Sequence, residues 1–227
     1  MATTTTATAT TTTATAVVSP RIPRIAAQGV AGGLALMAVF TSMWGWWAFA
    51  GLVPAVGVTV ALIYSALSAI FVAEAVRLLV AARALRAHVP DGADLPDNGG
   101  SRRSGSISQP RQNSGMWFGI IFGAEGLVIF VVCAVLGANG GTNYVNPAIA
   151  MIVGVHFIPL AWVFRRTVDY YVAGWFICAA AAGILTIASA AMPVALVWSL
   201  VSIAAAAGTS FYGFYMIGVK RAILTAA

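Results

Sequence analysis

The chain has 227 residues, of which 60% are hydrophobic and only 8% are charged, with a formal net charge of +6. A soluble domain has about a quarter of its residues charged, so this composition excludes an ordinary water-soluble domain and indicates a protein embedded in lipid. The basic residues lie at the ends of apolar segments and in one loop rather than on one face. That distribution is typical of membrane topology and does not predict a nucleic-acid partner.

Residues 1–20 are composed almost entirely of threonine and alanine. They contain neither the basic n-region nor the continuous apolar stretch of a secretory signal peptide. Threonine-rich low complexity without a periodic apolar face predicts a disordered tail.

Six apolar segments follow, and each is close to the roughly 20 residues that cross a bilayer as a helix. They lie at 25–49, 54–80, 116–137, 144–164, 170–190 and 193–217. The first two predict a transmembrane hairpin within 21–87, and the last four predict a four-helix block within 116–227. Between them, residues 88–115 are rich in Gly, Ser, Pro, Asn and Asp, which predicts a flexible cytoplasmic linker. The predicted fold class is an all-α polytopic membrane protein with six transmembrane helices.

The basic residues predict the orientation of these helices. The connections "GLVPAVG", "GANGGTN" and "AAMP" carry no charge. In a six-span arrangement every Lys and Arg falls on the opposite side, which the positive-inside rule assigns to the cytoplasm. Both termini are therefore predicted to be cytoplasmic. The basic residues are Arg21, Arg24, Arg77, Arg83, Arg86, Arg102, Arg103, Arg111, Arg165, Arg166, Lys220 and Arg221.

A carboxylate and an imidazole lie at matching depth on the third and fourth segments. Glu125 is nine residues from Met116 and His156 is nine residues from Arg165, so each is roughly 13–14 Å from the predicted inner end. A short connection makes the two segments antiparallel neighbours, and an intramembrane carboxylate needs a partner. We therefore expect Glu125 and His156 to pair. Pro159 leaves a backbone carbonyl without its helical donor near this site and predicts a kink.

Glycines on the third segment predict close helix packing. Gly119, Gly123 and Gly126 form one smooth stripe of the small-residue type that lets two helices approach. Glu125 points about 100° or more away from this stripe, so the third helix is expected to be central, with protein on two sides. Gly154 on the fourth segment is also assigned to helix packing.

Two further charged residues are interpreted structurally. Glu74 and Arg77 are three residues apart near the inner end of the second segment, and this spacing predicts an ion pair within one helix. The only histidine besides His156 is His88 in the linker, which disfavours a haem held by two intramembrane histidines. Without CxxC or a His/Cys cluster, no metal and no cofactor are predicted.

Aromatic residues near the segment ends predict anchors at the membrane interface. Trp44, Trp46 and Trp47 fall at the outer end of the first segment, where amphipathic rings are enriched. Tyr212 and Tyr215, near the inner end of the sixth, are interpreted in the same way.

The stretches "FGIIFGAEGLVIF", "YVNPAIAMIVGVHFIPLAWVFRR" and "YYVAGW" resemble an uncharacterised family of small bacterial integral membrane proteins with a G-x-H-F-x-P-L-A motif. The resemblance covers residues 117–174. It implies a bacterial inner-membrane location, and the family has no established activity to carry over. The matching positions are Glu125, Gly154, His156, Phe157, Pro159, Leu160, Ala161, Tyr170, Tyr171 and Gly174.

Three functions are weighed on these features. The leading hypothesis is a small carrier or permease in which Glu125 binds a proton, His156 is its partner and Pro159 shapes a cavity. Its partners would be the lipid bilayer and a small solute or proton. The second hypothesis is a non-transporting assembly, sensor or stress component in which the pair only fixes helix register. An enzyme is not expected, because no HExxH, GxSxG or paired intramembrane aspartates occur in the sequence.

Overall fold

The computed structural model describes residues 24–87 and 114–225, and all regular structure in these residues is helical. Each of the six helices is long and apolar enough to cross a membrane, which confirms the predicted all-α, six-span class. The tail 1–20 and most of the predicted linker, including His88, lie outside the described residues. The helices are α1 Arg24–Trp47, α2 Pro54–Ala87, α3 Ser114–Ala138, α4 Val145–Phe164, α5 Thr167–Ala188 and α6 Val194–Thr225.

Several helices extend beyond the apolar segments that predict them. α2 and α6 continue for about two turns past the predicted ends, and α5 begins three residues earlier than predicted. Hydropathy marks the stretch that fits in hydrocarbon, whereas backbone hydrogen bonding continues wherever the side chains tolerate it. Pro54 occupies the first position of α2, where its missing N–H costs nothing. The early start of α5 places Asp169 inside a helix rather than in a loop.

α6 lies at the centre of the bundle. It packs against α1 and α5, with smaller contacts to α2 and α4, while α1 and α2 form an antiparallel hairpin. Phe71 from α2, Phe176 from α5 and Met216 from α6 are almost completely buried in the resulting core. Trp44 from α1 is also fully buried, so the prediction that it is an interface anchor is wrong. Its position on α1 turns the ring toward Phe176.

Polar side chains connect α6 to its neighbours inside the apolar bundle. The Thr41 hydroxyl of α1 donates to Thr209 Oγ1 at 2.9 Å. The Asn146 amide of α4 donates to Ser202 Oγ at 2.9 Å. Hydrogen bonds between membrane helices contribute about 0.6 kcal/mol each on average, so these contacts fix the register of the helices more than they add stability.

The third helix is peripheral. A Cβ added at Gly154 would lie 2.9 Å from Ile177 Cγ1, because α4 and α5 approach closely there. In contrast, among the described residues nothing lies within 4 Å of a Cβ added to the glycines of α3. α3 packs chiefly against α4. The prediction of a central α3 whose glycine stripe packs on a helix of this chain is therefore wrong, because such a stripe permits close contact without supplying a partner. Those glycines are Gly119, Gly123 and Gly126.

Candidate functional site

The structure brings Glu125 of α3 and His156 of α4 together. Glu125 Oε1 and His156 Nδ1 are 3.1 Å apart, and their side chains are only 4% and 7% exposed. The two atoms lack the alignment of a hydrogen bond, and neither has another hydrogen-bond partner in the described chain. The contact is therefore a close approach of a carboxylate oxygen and an imidazole nitrogen, both of them buried. Between Gly115 and Ala138, Glu125 is the only buried residue of α3.

Aromatic rings surround the imidazole. The Phe157 ring centre is 4.5 Å from that of His156, and the Phe122 ring of α3 meets it edge-on at 5.6 Å. These rings exclude water and lower the local dielectric, which strengthens electrostatic interaction between Glu125 and His156. The site is thus a carboxylate–imidazole pair held in an apolar environment where helices α3 and α4 meet.

Pro159 lies on the exposed side of α4. Val155, whose carbonyl it leaves without a helical donor, is also exposed, so that free acceptor lies on the outer side of α4. One surface depression lies at the α4–α5 corner and another lies between α1 and α2. Neither of these depressions is lined by Pro159, Glu125 or His156. The role of Pro159 in shaping a cavity stays a prediction.

A tight corner joins α4 to α5. Arg165 adopts the left-handed conformation with φ 54°, and its N–H donates to the carbonyl of Ala161. Such a conformation is uncommon for a residue other than glycine, and here it reverses the chain direction within two residues. Arg166 is extended and directly precedes α5. This corner positions the first turn of α5, including Asp169, against α6.

Asp169 is a second buried carboxylate, and it was missed by the reasoning from sequence. It has no exposed surface, and within the described part of the chain neither of its carboxylate oxygens makes a well-aligned hydrogen bond. The Tyr212 hydroxyl lies next to the carboxylate, and the charges of Arg166 and of a protonated His156 act on it. Arg166 also donates to Tyr212 Oη at 3.4 Å. An acidic residue three positions after an arginine pair, in "RRTVD", was the available signal.

Tyr212 is therefore not an interface anchor. It is buried, and its ring packs 5.7 Å from that of Phe157, the residue next to His156. Its hydroxyl faces the charges of the α4–α5 corner instead of water. Tyr215, by contrast, is exposed, and its role as an anchor at the membrane interface stays a prediction.

The residues Glu74 and Arg77 form part of a separate charge cluster. Arg77 donates to Glu74 Oε1 at 2.5 Å, and its side chain is 71% exposed. The buried Lys220 of α6 contacts the other carboxylate oxygen of Glu74, a partner not expected from the sequence. The cluster therefore joins the C-terminal part of α2 to that of α6. It does not include Glu125 or His156.

The comparisons with known proteins supply no further assignment. No family model, no curated protein and no solved structure matches the chain, so the resemblance of residues 117–174 to a bacterial membrane family stays a prediction. Within residues 24–87 and 114–225, no three His, Cys, Asp or Glu side chains are grouped to hold a metal ion. Fold and site together define a six-span helical membrane protein with a buried carboxylate–imidazole pair.

Proposed function

We propose that this chain is a small proton-linked carrier in which Glu125 binds the proton and His156 is its partner. The observation that carries the proposal is the 3.1 Å contact between two buried titratable groups on different helices. Ionisable side chains within a membrane are costly and commonly mark proton or substrate pathways. The proposal is for transport and not for an enzyme.

The position of α3 supports a link between proton binding and helix movement. α3 packs chiefly on α4, and Glu125 is the only residue buried on its described face. With Glu125 ionised and His156 protonated, opposite charges attract across this contact. A proton on Glu125 removes that attraction, which weakens the attachment of α3 to α4. Protonation would then shift the population between two α3 positions, as coupled transport requires.

The orientation and location of the protein are part of the same proposal. Arg77, Arg166 and Lys220 lie at one end of the bundle, where α2, α6 and the α4–α5 corner meet. The positive-inside rule assigns this end to the cytoplasm, with both termini on that side. The resemblance to a bacterial family supports a multi-pass protein of the bacterial plasma membrane.

Proton uptake into proteoliposomes tests the proposal. Vesicles loaded with a pH-sensitive dye are exposed to a panel of amino acids, sugars and monovalent cations, with and without a pH gradient. We expect at least one solute to drive a proton flux that Glu125→Gln abolishes. Glu74→Gln is the matched control and should retain the flux, because Glu74 belongs to the separate cluster with Lys220.

A second candidate function follows from the enclosed site. Because neither surface depression reaches Glu125 or His156, the pair would instead fix the register of α3 on α4 in a non-transporting assembly, sensor or stress component. This alternative predicts that Glu125→Gln lowers the melting temperature while no solute produces a flux dependent on Glu125. That combination of results would exclude the carrier.

A further inference from the structure

Asp169 raises a question of charge balance that the Glu125–His156 pair alone does not answer. Its carboxylate is fully buried, and among the residues that the structure describes neither oxygen makes a well-aligned hydrogen bond. A buried carboxylate without such partners is costly unless it is neutralised by a proton or by a nearby cation. The groups that face it are Arg166 from the α4–α5 corner, Tyr212 from α6 and His156 from α4.

The permanent charges near this site are unequal. Glu125 and Asp169 each contribute a negative charge when ionised. Among the described groups that act on Asp169, Arg166 carries the permanent positive charge. If Arg166 compensates one carboxylate, the other remains uncompensated in an apolar environment. A single proton held by His156 or by one of the carboxyl groups restores neutrality.

His156 connects the two carboxylates. Its Nδ1 lies 3.1 Å from Glu125 Oε1, and when it is protonated its charge also acts on Asp169. Interacting titratable groups bind protons as a unit, so that the charge on one changes the affinity of the others. Phe157, which stacks near both the imidazole and the Tyr212 ring, fills the space between the two parts with apolar atoms and preserves this electrostatic interaction.

We infer that Asp169 is a second proton-linked carboxylate, and that Asp169 and Arg166 together control how tightly the Glu125–His156 pair holds its proton. This inference deepens the proposed function, on which it rests, by naming the groups that regulate the proton site. The negative charge of Asp169 favours the protonated pair, and the positive charge of Arg166 opposes it. The two residues therefore act in opposite directions on the same proton.

Histidine-selective ¹⁵N NMR of the full-length protein in detergent tests this inference. The chain has two histidines, so a His88→Ala background leaves His156 as the only signal, and its ¹⁵N shifts report protonation across a pH titration. We expect Asp169→Asn to lower the pH at which His156 loses its proton, because a favourable negative charge is removed. Arg166→Gln should raise that pH, because an unfavourable positive charge is removed.

Opposite shifts in the His156 titration distinguish electrostatic control from a structural role. A loss of packing would not reverse the direction of the shift when the removed charge changes from negative to positive. Glu74→Gln is the matched carboxylate control, and it should change the titration much less than Asp169→Asn. Shifts in the same direction, shifts no larger than that control, or an imidazole that does not titrate would overturn the inference. Should Asp169→Asn fail to fold, an Arg166→Gln variant that does not raise the titration pH overturns it alone.

The two proposals fail separately. If proton flux depends on Glu125 while His156 is insensitive to Asp169 and Arg166, the carrier stands and the second carboxylate is structural. If the opposite shifts occur but no flux depends on Glu125, the charges are coupled without transport.

Discussion

Two glycine substitutions on adjacent helices should have opposite effects on stability. Gly154 lies where α4 meets α5, and a Cβ added there would be 2.9 Å from Ile177 Cγ1 and 3.0 Å from the Ile177 backbone nitrogen. At Gly123 on α3, no atom of the described chain lies within 4 Å of an added Cβ. Gly154→Ala and Gly123→Ala therefore make the same chemical change in a crowded and an open site.

The expected magnitudes follow from these distances. In Gly154→Ala the new methyl group meets a backbone atom that cannot rotate away, so α4 and α5 must separate, at a cost of about 1–3 kcal/mol for overpacking. Replacing glycine by alanine also favours a helix by about 1 kcal/mol. Since that gain occurs in both variants, Gly154→Ala should be less stable than Gly123→Ala by about 1–3 kcal/mol.

Unfolding in dodecylmaltoside micelles with increasing mole fraction of SDS, followed by circular dichroism, measures the free-energy difference. Gly123→Ala should unfold at the same or a higher SDS fraction than the unmodified chain. Equal destabilisation by the two substitutions would refute the reasoning, because it would mean that the α3 stripe is packed as tightly as the α4–α5 contact. The unmodified chain and both variants should be compared at one protein concentration.

Two other perturbations give contrasting results in the same assay. Lys220→Met should cost about 1.5–3 kcal/mol, because it removes the charged contact from buried Lys220 of α6 to the half-buried Glu74 of α2. Arg77→Met should cost at most about 1 kcal/mol, since that side chain is 71% exposed. Equal losses would contradict a buried contact between α2 and α6. Asn146→Ala should cost about 0.6 kcal/mol, and adding Ser202→Ala to it should cost little more, because the two side chains share one hydrogen bond. Additive losses would indicate that they act independently.

The fold class was predictable because it follows from the apolar composition and from the presence of basic residues in every second connection between apolar segments. Six apolar stretches and uncharged outer connections leave few arrangements other than a six-span helical protein, and the structure contains those six helices. Helix ends were less predictable. α5 begins at Thr167, before its apolar stretch, because the extended Arg166 ends the corner and any following residue can join the helix. A boundary set by hydropathy therefore excludes Asp169 from the membrane region.

The candidate site was predictable only where a short connection constrains two helices. Glu125 and His156 have similar depth on antiparallel neighbours, and these conditions are sufficient to suggest their contact. Asp169 faces Tyr212, which is 43 positions away in the chain by residue number, and no local pattern reports how α6 packs against α5. The same limit explains the glycine stripe of α3. The sequence shows that another helix could approach α3 closely at Gly123. Which helix packs there, if any, depends on how the whole bundle is arranged.

The peripheral position of α3 and the central position of α6 have a consequence for how the protein is made. α3 has the highest mean hydropathy of the six spans and α1 the lowest, so α3 can enter the bilayer unaided. α1 has lipid-incompatible groups such as Thr41, whose hydroxyl is satisfied by Thr209 of α6. Since α6 is synthesised after the other five helices, α1 remains in the translocon or the membrane without this hydrogen bond to Thr41 until α6 is made. Nascent chains arrested before α6 should therefore hold α1 less securely in the membrane than α3.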